Sequence, residues 1–573
     1  MKASGIPKRK LTRSVRILMC LAALAVTSIY TCLVLSDYNT ATWRTYIQSQ
    51  NTDPCSLACK GIRDNTDQSL ARLLLLMAKS DQSPFAYTVG NQIEMDPGGC
   101  VCVRAVVPRK NKEPRYRPVS GWPEDSLMVD LVLTETKQPN GINDPLYRDS
   151  RVTVSVDMHT VRHTEKYNLY QGTAQLFDPG VYEIDARVEF QNYQWNVEPG
   201  QLTAPYNETI VSSESKIKVR YDPKHPTFVG RHQNLPLCTE GDSRGRWIPA
   251  NNLRWPQWQH TMPVEDGRVW LPYHCRLRRI SHMEFAFHMS IKYPAVHWYG
   301  DSNSRRTLRP FAMGGRWCHR KNTTLRLDCL CNDAPKDLFP SEWYPTMHTP
   351  HLYRIYGTGV NATEMFAKLD NSSATDPRPI LDKDPVDAYL GPDYVPPGYR
   401  FRRDYFDLYY LFTRGTQDMF GSHWARDITP DRISNYPGAS LVVVQMITWD
   451  VAFGTMKEFA QDTERLTQRL KKVYPGARFV YRSGPYWCCR NSEDQDKKYT
   501  RLRFHMFDQY ARGVFKRRLG ALVWDTMGPQ AQRPPESKRL SENMPCRSAH
   551  SRSEVIHMDN QILMNMLVNQ DKI

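Results

Sequence analysis

Val296-His297-Trp298-Tyr299-Gly300-Asp301-Ser302-Asn303-Ser304-Arg305-Arg306 is the stretch on which the reading of this chain turns. An apolar, strand-like run ends in Gly-Asp-Ser and is followed by a segment compatible with a helix. Glycine permits a tight turn there. A serine at the start of a helix lifts its hydroxyl above the sheet edge, where free backbone N–H groups can stabilise an oxyanion. Ser302 is therefore the candidate nucleophile, with Asp301 beside it. A second copy, Gly241-Asp242-Ser243, follows Thr239-Glu240 without a preceding strand, so Ser302 is preferred over Ser243.

Downstream, Leu441 to Val444 has the unbroken apolar character of a buried strand. Met456, Phe459, Leu466, Leu470 and Val473 then fall on one face of a helix, Pro475-Gly476 ends it, and Phe479 to Tyr481 starts another strand. A strand, crossover helix and strand imply a parallel sheet and an α/β domain. Residues 369–399, rich in Asp, Pro, Asn and Ser, read as an insertion loop or lid.

Upstream the texture differs. Tyr182, Ile184, Ala186, Val188 and Phe190 alternate with Glu183, Asp185, Arg187 and Glu189, and Val152, Val154, Val156 and Met158 repeat the pattern. Such strands, broken by Pro139-Asn140-Gly141 and Asp178-Pro179-Gly180, predict an all-β immunoglobulin-like sandwich. Between the two regions, Cys238 to Cys275 encloses Gly245-Arg246-Trp247 and further tryptophans, a compact module that one disulfide would close.

The N-terminus places this architecture in the secretory pathway. Lys2, Lys8, Arg9, Lys10, Arg13 and Arg16 precede an apolar run from Ile17 to Leu35, with no acidic residue before Asp37. As a helix that run rises ~28 Å, about one hydrocarbon core, and the preceding positive charge keeps the N-terminus cytosolic. A long cleaved signal is the alternative. The resulting division is a cytosolic tail at 1–16, a transmembrane signal anchor at 17–35 and a stem at 36–84 with a helix-like run, Leu70 to Met77. The β domain follows at 85–222, and the Cys/Trp-rich module plus α/β domain at 223–573. Sequons at Asn207, Asn322, Asn361 and Asn371 all follow the anchor. Twelve of the 14 cysteines also follow it, an even number suited to disulfides whose pairing the spacing leaves open. Cys55/Cys59 and Cys329/Cys331 lack a second doublet or histidine pair at finger spacing, so neither metal nor cofactor is expected. A net charge of +16 would suit nucleic acid in the cytosol, but this topology excludes it.

Taken in order, the anchor, the immunoglobulin-like segment, the Cys238–Cys275 module, the Gly-Asp-Ser-Asn turn and His550 with Ile562-Leu563-Met564-Asn565 resemble the neurexophilin and PC-esterase (NXPE) family over about residues 85 to 570. They are similar, more distantly, to the plant trichome-birefringence-like polysaccharide O-acetyltransferases and the sialic acid O-acetyltransferase. The resemblance implies an SGNH-hydrolase-like fold, a Ser/Asp/His triad, and acetyl transfer to or from glycans or glycoproteins in the Golgi. It adds a cell-surface receptor as a partner for the β domain.

Two histidines compete for the base. His550 precedes the terminal helix expected from Val555 to Val568, whereas His557 lies inside it, three residues after Glu554, as a partly buried or solvated histidine. His550 is preferred, and its acid must come from Glu554, Asp525 or Glu542, because Arg547 stands where the family carries one. Gln445-Met446-Ile447-Thr448-Trp449-Asp450 also lacks the family's oxyanion-hole glycine. Arg305, Arg306 and Arg309 follow Ser302 at helical spacing, which fits either a solvated basic helix face or a site for an anionic sugar. These residues describe a glycan O-acyl esterase or transferase, membrane-anchored in the Golgi or secreted; the alternative is a catalytically inactive binding protein acting through the β domain.

Overall fold

The computed structural model describes residues 55, 58–59, 73–77, 92–108, 125–163, 167–190, 216–242, 244–253, 267–312, 351–356, 405–413, 415–416, 438–485, 501–533 and 553–570. The segment 17–35, the four sequon asparagines, Ser243, residues 369–399, Glu542 and His550 lie outside them. Among the described residues no helix is long and apolar enough to cross a membrane.

Two sheets form the first layered unit. Strands β1 (Leu73–Met77), β2 (Gln92–Met95), β3 (Gly99–Pro108), β4 (Ser126–Glu135), β5 (Thr153–Val156), β6 (His159–His163), β7 (Tyr167–Leu176), β8 (Gly180–Phe190) and β9 (Lys216–Val219) assemble as β1-β3-β7-β6 and β2-β9-β8-β4-β5. Alternation dictates the packing: Val101, Val103 and Ala105 of one sheet share a core with Val129, Leu131 and Leu133 of the other. Tyr182 and Ala186 point into it while Glu183 is exposed. The run ending at Met77, expected as helix-like, is instead strand β1, paired in parallel with β3. Periodicity cannot tell so short an apolar run from a helix, and the open edge of β3 supplies its hydrogen-bond partners.

Cys100 and Cys102, two apart on β3, are bonded to Cys55 and Cys59, and Cys238 is bonded to Cys275. Alternate residues of a strand share a face, so one short turn reaches both β3 cysteines.

A hairpin, β10 (Gly245–Pro249) with β11 (Arg268–Pro272), follows. Ile248, Val269 and Leu271 join the core of the sandwich, while Trp247 and Trp270 join the next one. Arg246 faces the sandwich, 3.2 Å from Asp178, and both are fully buried. Tyr147 and Tyr273 donate to the two Asp178 oxygens at 2.9 and 2.7 Å, completing a desolvated cluster. Burial raises the Asp178 carboxyl and Arg246 opposes that rise.

The second layered unit carries the parallel sheet. It contains α1 (His282–Lys292), β12 (Ala295–Gly300), α2 (Ser302–Ala312), β13 (His351–Tyr356), β14 (Tyr405–Phe412), β15 (Leu441–Gln445), α3 (Thr448–Phe453), α4 (Met456–Val473), β16 (Arg478–Arg482), α5 (Arg501–Leu519), β17 (Leu522–Trp524), α6 (Met527–Ala531) and α7 (Ser553–Gln570). Strand order is β13-β14-β12-β15-β16-β17, parallel except for β13. Every residue of β15 is buried, as a central parallel strand with both faces covered requires. Val296, Trp298, Val443, Val480 and Trp524 meet α1 and α7 on one face. On the other, His297 bonds the Tyr474 hydroxyl at 2.7 Å and Tyr481 packs on Phe515. Helix α4 is started by a capping box: Thr455 accepts the Glu458 N–H and the Glu458 carboxylate accepts the Thr455 N–H.

The two units meet directly. Ser155 of β5 donates to the Ala531 carbonyl at 2.8 Å, Trp247 donates to the Pro529 carbonyl at 2.7 Å, and Arg501 lies 3.5 Å from the buried Asp130.

Candidate active site

Strand β12 ends at Gly300 and α2 begins at Ser302, so the quoted stretch is a strand, a one-residue turn and a helix. Its neighbours β14 and β15 run parallel to it, so all three strands deliver their C-terminal ends to one edge. In open α/β sheets that edge is where ligands are held. Ser302 is partly exposed, whereas Asp301, Asn303 and Ser304 are buried around it.

Each buried neighbour sets the turn. The Asp301 carboxylate faces inward and accepts the Asn303 N–H at 2.8 Å, which makes it a brace for the turn. Ser304 donates to the Gln445 side chain of β15. Gly300 is obligatory because a side chain there would collide with Ser304. The Tyr410 hydroxyl donates to the Asp301 carbonyl at 2.8 Å and lies 3.0 Å from that of Gly300.

Beneath the turn runs a charged network that residue type alone would place at the surface. Arg482, at the end of β16, is fully buried and donates to Thr307 of α2 at 3.0 Å. Burial pushes its guanidinium down, while Asp559 and Asp301 favour its charge. Burial raises Asp301 and, more strongly, Asp559 of α7; Arg482 opposes both shifts. Gln530 donates to Asp559 at 3.1 Å, and Asn560 donates to the Thr307 carbonyl at 3.2 Å. The terminal helix is thereby tied to the helix that starts at Ser302.

The remaining candidates divide. His557 is buried on α7, not solvated, and burial followed by repulsion from His282 holds its pKa well below the usual histidine value. Residues 556–569 of α7 are all buried, so a histidine within that stretch is enclosed by neighbouring elements. Glu554 occupies the first turn of α7. Arg305 is partly buried on α2, which also carries Arg306 and Arg309. Asp525, at the end of β17, is raised by burial but more strongly lowered by Arg512 and its backbone donors, so it stays charged. Its carboxylate accepts Ser483 Oγ and the Met527 and Gly528 N–H groups. Among the described residues no group of three His, Cys, Asp or Glu side chains is placed to hold a metal ion.

One feature escaped the sequence. Ile447, in the segment expected to lack an oxyanion-hole glycine, has φ +84°, a left-handed backbone that glycine adopts freely and a β-branched residue resists. The bend is thus present without the glycine. Gly415, in the segment leaving β14, has φ +95°. An Arg414-Gly415-Thr416 string just past a strand was the available signal for it.

No family model matches the chain, and no curated protein matches it. Among solved structures it is similar to an acetyl xylan esterase from Geobacillus stearothermophilus (11% identity, covering 48% of this chain and 94% of the other, TM-score 0.23). It is also similar to a family two carbohydrate esterase from Clostridium thermocellum in complex with cellohexaose (10%, 83% and 94%, 0.23). A third is a carbohydrate esterase family 2 enzyme plus carbohydrate-binding domain from Corynascus thermopiles (Myceliophthora fergusii) (10%, 82% and 100%, 0.23). Likenesses at these identities and scores do not bear on what the chain does.

Proposed function

We propose that this chain is a serine-dependent O-acyl esterase or acyltransferase of the SGNH type, acting on acetyl or similar esters of glycans or glycoproteins, and that it belongs with the NXPE family. The observation that carries this reading is the placement of Ser302: first residue of a helix, directly after a central parallel strand, partly exposed within an otherwise buried turn. Ser302 Oγ attacks the ester carbonyl and a histidine takes its proton, a role we assign to His550. The carbonyl–oxygen bond then breaks, the departing alcohol takes that proton, and the acyl-serine passes its acyl group to water or a glycan hydroxyl. Arg305 and Arg306 supply positive charge beside an anionic sugar. The N-terminal segment anchors the protein in the Golgi membrane with its bulk lumenal, or is removed to release a secreted form.

One observation favours a second reading. A buried isoleucine occupies the left-handed bend after β15, where a glycine would let the backbone approach an oxyanion unhindered. A catalytically silent protein that binds a cell-surface receptor through its β-sandwich, taken as immunoglobulin-like, would tolerate that residue. Turnover of a chromogenic acetyl ester by the purified full-length chain separates the two. Hydrolysis lost in Ser302→Ala supports the enzyme; wild-type turnover no faster than that of the variant supports the binding protein.

A further inference from the structure

Because β12 lies between β14 and β15, the segments leaving those strands stand on either side of the Ser302 turn. A single carboxylate joins them. Asp450, fully buried on α3, accepts the Thr416 N–H at 2.8 Å and the Thr416 hydroxyl on one oxygen. Its other oxygen accepts the Ile447 N–H at 3.1 Å.

Both backbones are unusual where they meet this group. Any side chain at Gly415 would collide with the Asp450 carboxylate, and φ +95° disfavours one in any case. Ile447 is strained by its left-handed φ, a conformation that persists only where the surroundings over-determine it. Asp450 holds its N–H, and Gly484 leaves the space that Ile447 Cδ1 fills. A carboxylate serving only α3 would need no partner 34 residues away in the segment beyond β14.

We propose that Asp450 is a positioning residue for the Ser302 site: its two oxygens tie Gly415-Thr416 to segment 446–448 and fix the two walls between which an acyl group reaches the nucleophile. The proposal rests on the reading of Ser302 as nucleophile. Asp450 does not itself touch the reacting atoms. It acts through backbone placement, and misplacement by about 1 Å typically costs on the order of 100-fold in rate.

The test is the rate at which a fluorophosphonate probe labels the full-length chain. Asp450→Asn should slow labelling about 100-fold and Thr416→Val about tenfold, with Thr416→Ser restoring the wild-type rate because it restores only the hydroxyl. Folded Asp450→Asn and Thr416→Val proteins labelled as fast as wild type would overturn the proposal. Should Asp450→Asn fail to fold, the Thr416 pair decides alone. A wild type that is never labelled defeats the nucleophile reading and this role with it. Amide exchange then reports on the tie separately: Thr416→Val quickening exchange in both segments together supports it, and segments responding independently refute it.

Discussion

Gly300-Asp301-Ser302 continues a six-residue strand in register with β14 and β15, whereas Gly241-Asp242, among the described residues, pairs with the same sheet through an isolated bridge from Gly241 to Trp524. The acids diverge accordingly. Asp301 is 1% exposed and turned onto its own helix start, while Asp242 pairs with Lys516 at 2.8 Å where half of that lysine side chain is in water. Both glycines are sterically required, one beneath Ser304 and the other against the Val523 carbonyl. The tripeptide therefore fixes only a close backbone approach. What precedes it decides whether a serine is raised into reach.

The sharpest way to break this comparison is covalent labelling by the fluorophosphonate probe. Ser302→Ala should reduce labelling about 1,000-fold or more, and Ser243→Ala should leave it within about twofold. Labelling that follows Ser243 would exchange the roles of the two turns.

The proton acceptor comes next. If ester hydrolysis is measured, His550→Ala should lower it by about 100- to 10,000-fold. His557→Ala should chiefly lower the melting temperature, since its ring fills core space beside His282. Loss of turnover in a stable His557 variant would transfer the role to the Glu554/His557 pair.

Stability contrasts the two acids. Asp301→Ala strands part of a buried charged network and should cost about 3 kcal/mol in denaturant unfolding. Asp242→Ala removes a solvent-facing ion pair and should cost less than about 1 kcal/mol. Equal costs would show that the two turns are built alike.

The smallest effect concerns pH, through His282 of α1, which lies near His557 of α7, the helix that also places Met566 against Gly241. Burial pushes His282 down to about 4. Below pH ~6.5 the unfolded chain gains a proton that the folded chain refuses until pH nears 4, so stability falls as pH falls through that window. From pH 7 to 5 the His282 share of that loss should be about 2 kcal/mol, and His282→Leu should make the dependence shallower while His557, also held low by burial, keeps its own share; an unchanged slope in that variant would exclude His282 as a source.

Legibility followed the range of the interaction. Leu441 to Val444 announced a buried strand, and the spacing of Met456, Phe459, Leu466, Leu470 and Val473 an amphipathic helix, because these signals lie within a few residues of one another. The Ser302 turn was legible for the same reason. Asp450 and Thr416 are 34 residues apart, and no local pattern links them. Ile447 runs against residue preference, since isoleucine is among the last residues expected at positive φ, and Arg482 runs against the expectation that arginine faces water. The disulfide partners of Cys55 and Cys59 became readable only once β3 placed two cysteines on one face.

The hairpin β10–β11 has a consequence for how the molecule comes apart. Its tryptophan face and its aliphatic face belong to different cores, so either half, separated at residue 222, loses a wall. A fragment starting at residue 223 would carry Ile248, Val269 and Leu271 into solvent, each forfeiting roughly 1.5–3 kcal/mol of burial. Arg246 would lose the only carboxylate recorded within ion-pair distance of it among the described residues. The two layered units should therefore melt as one cooperative transition, and recombination of either with a foreign partner would have to carry the hairpin's other neighbour along.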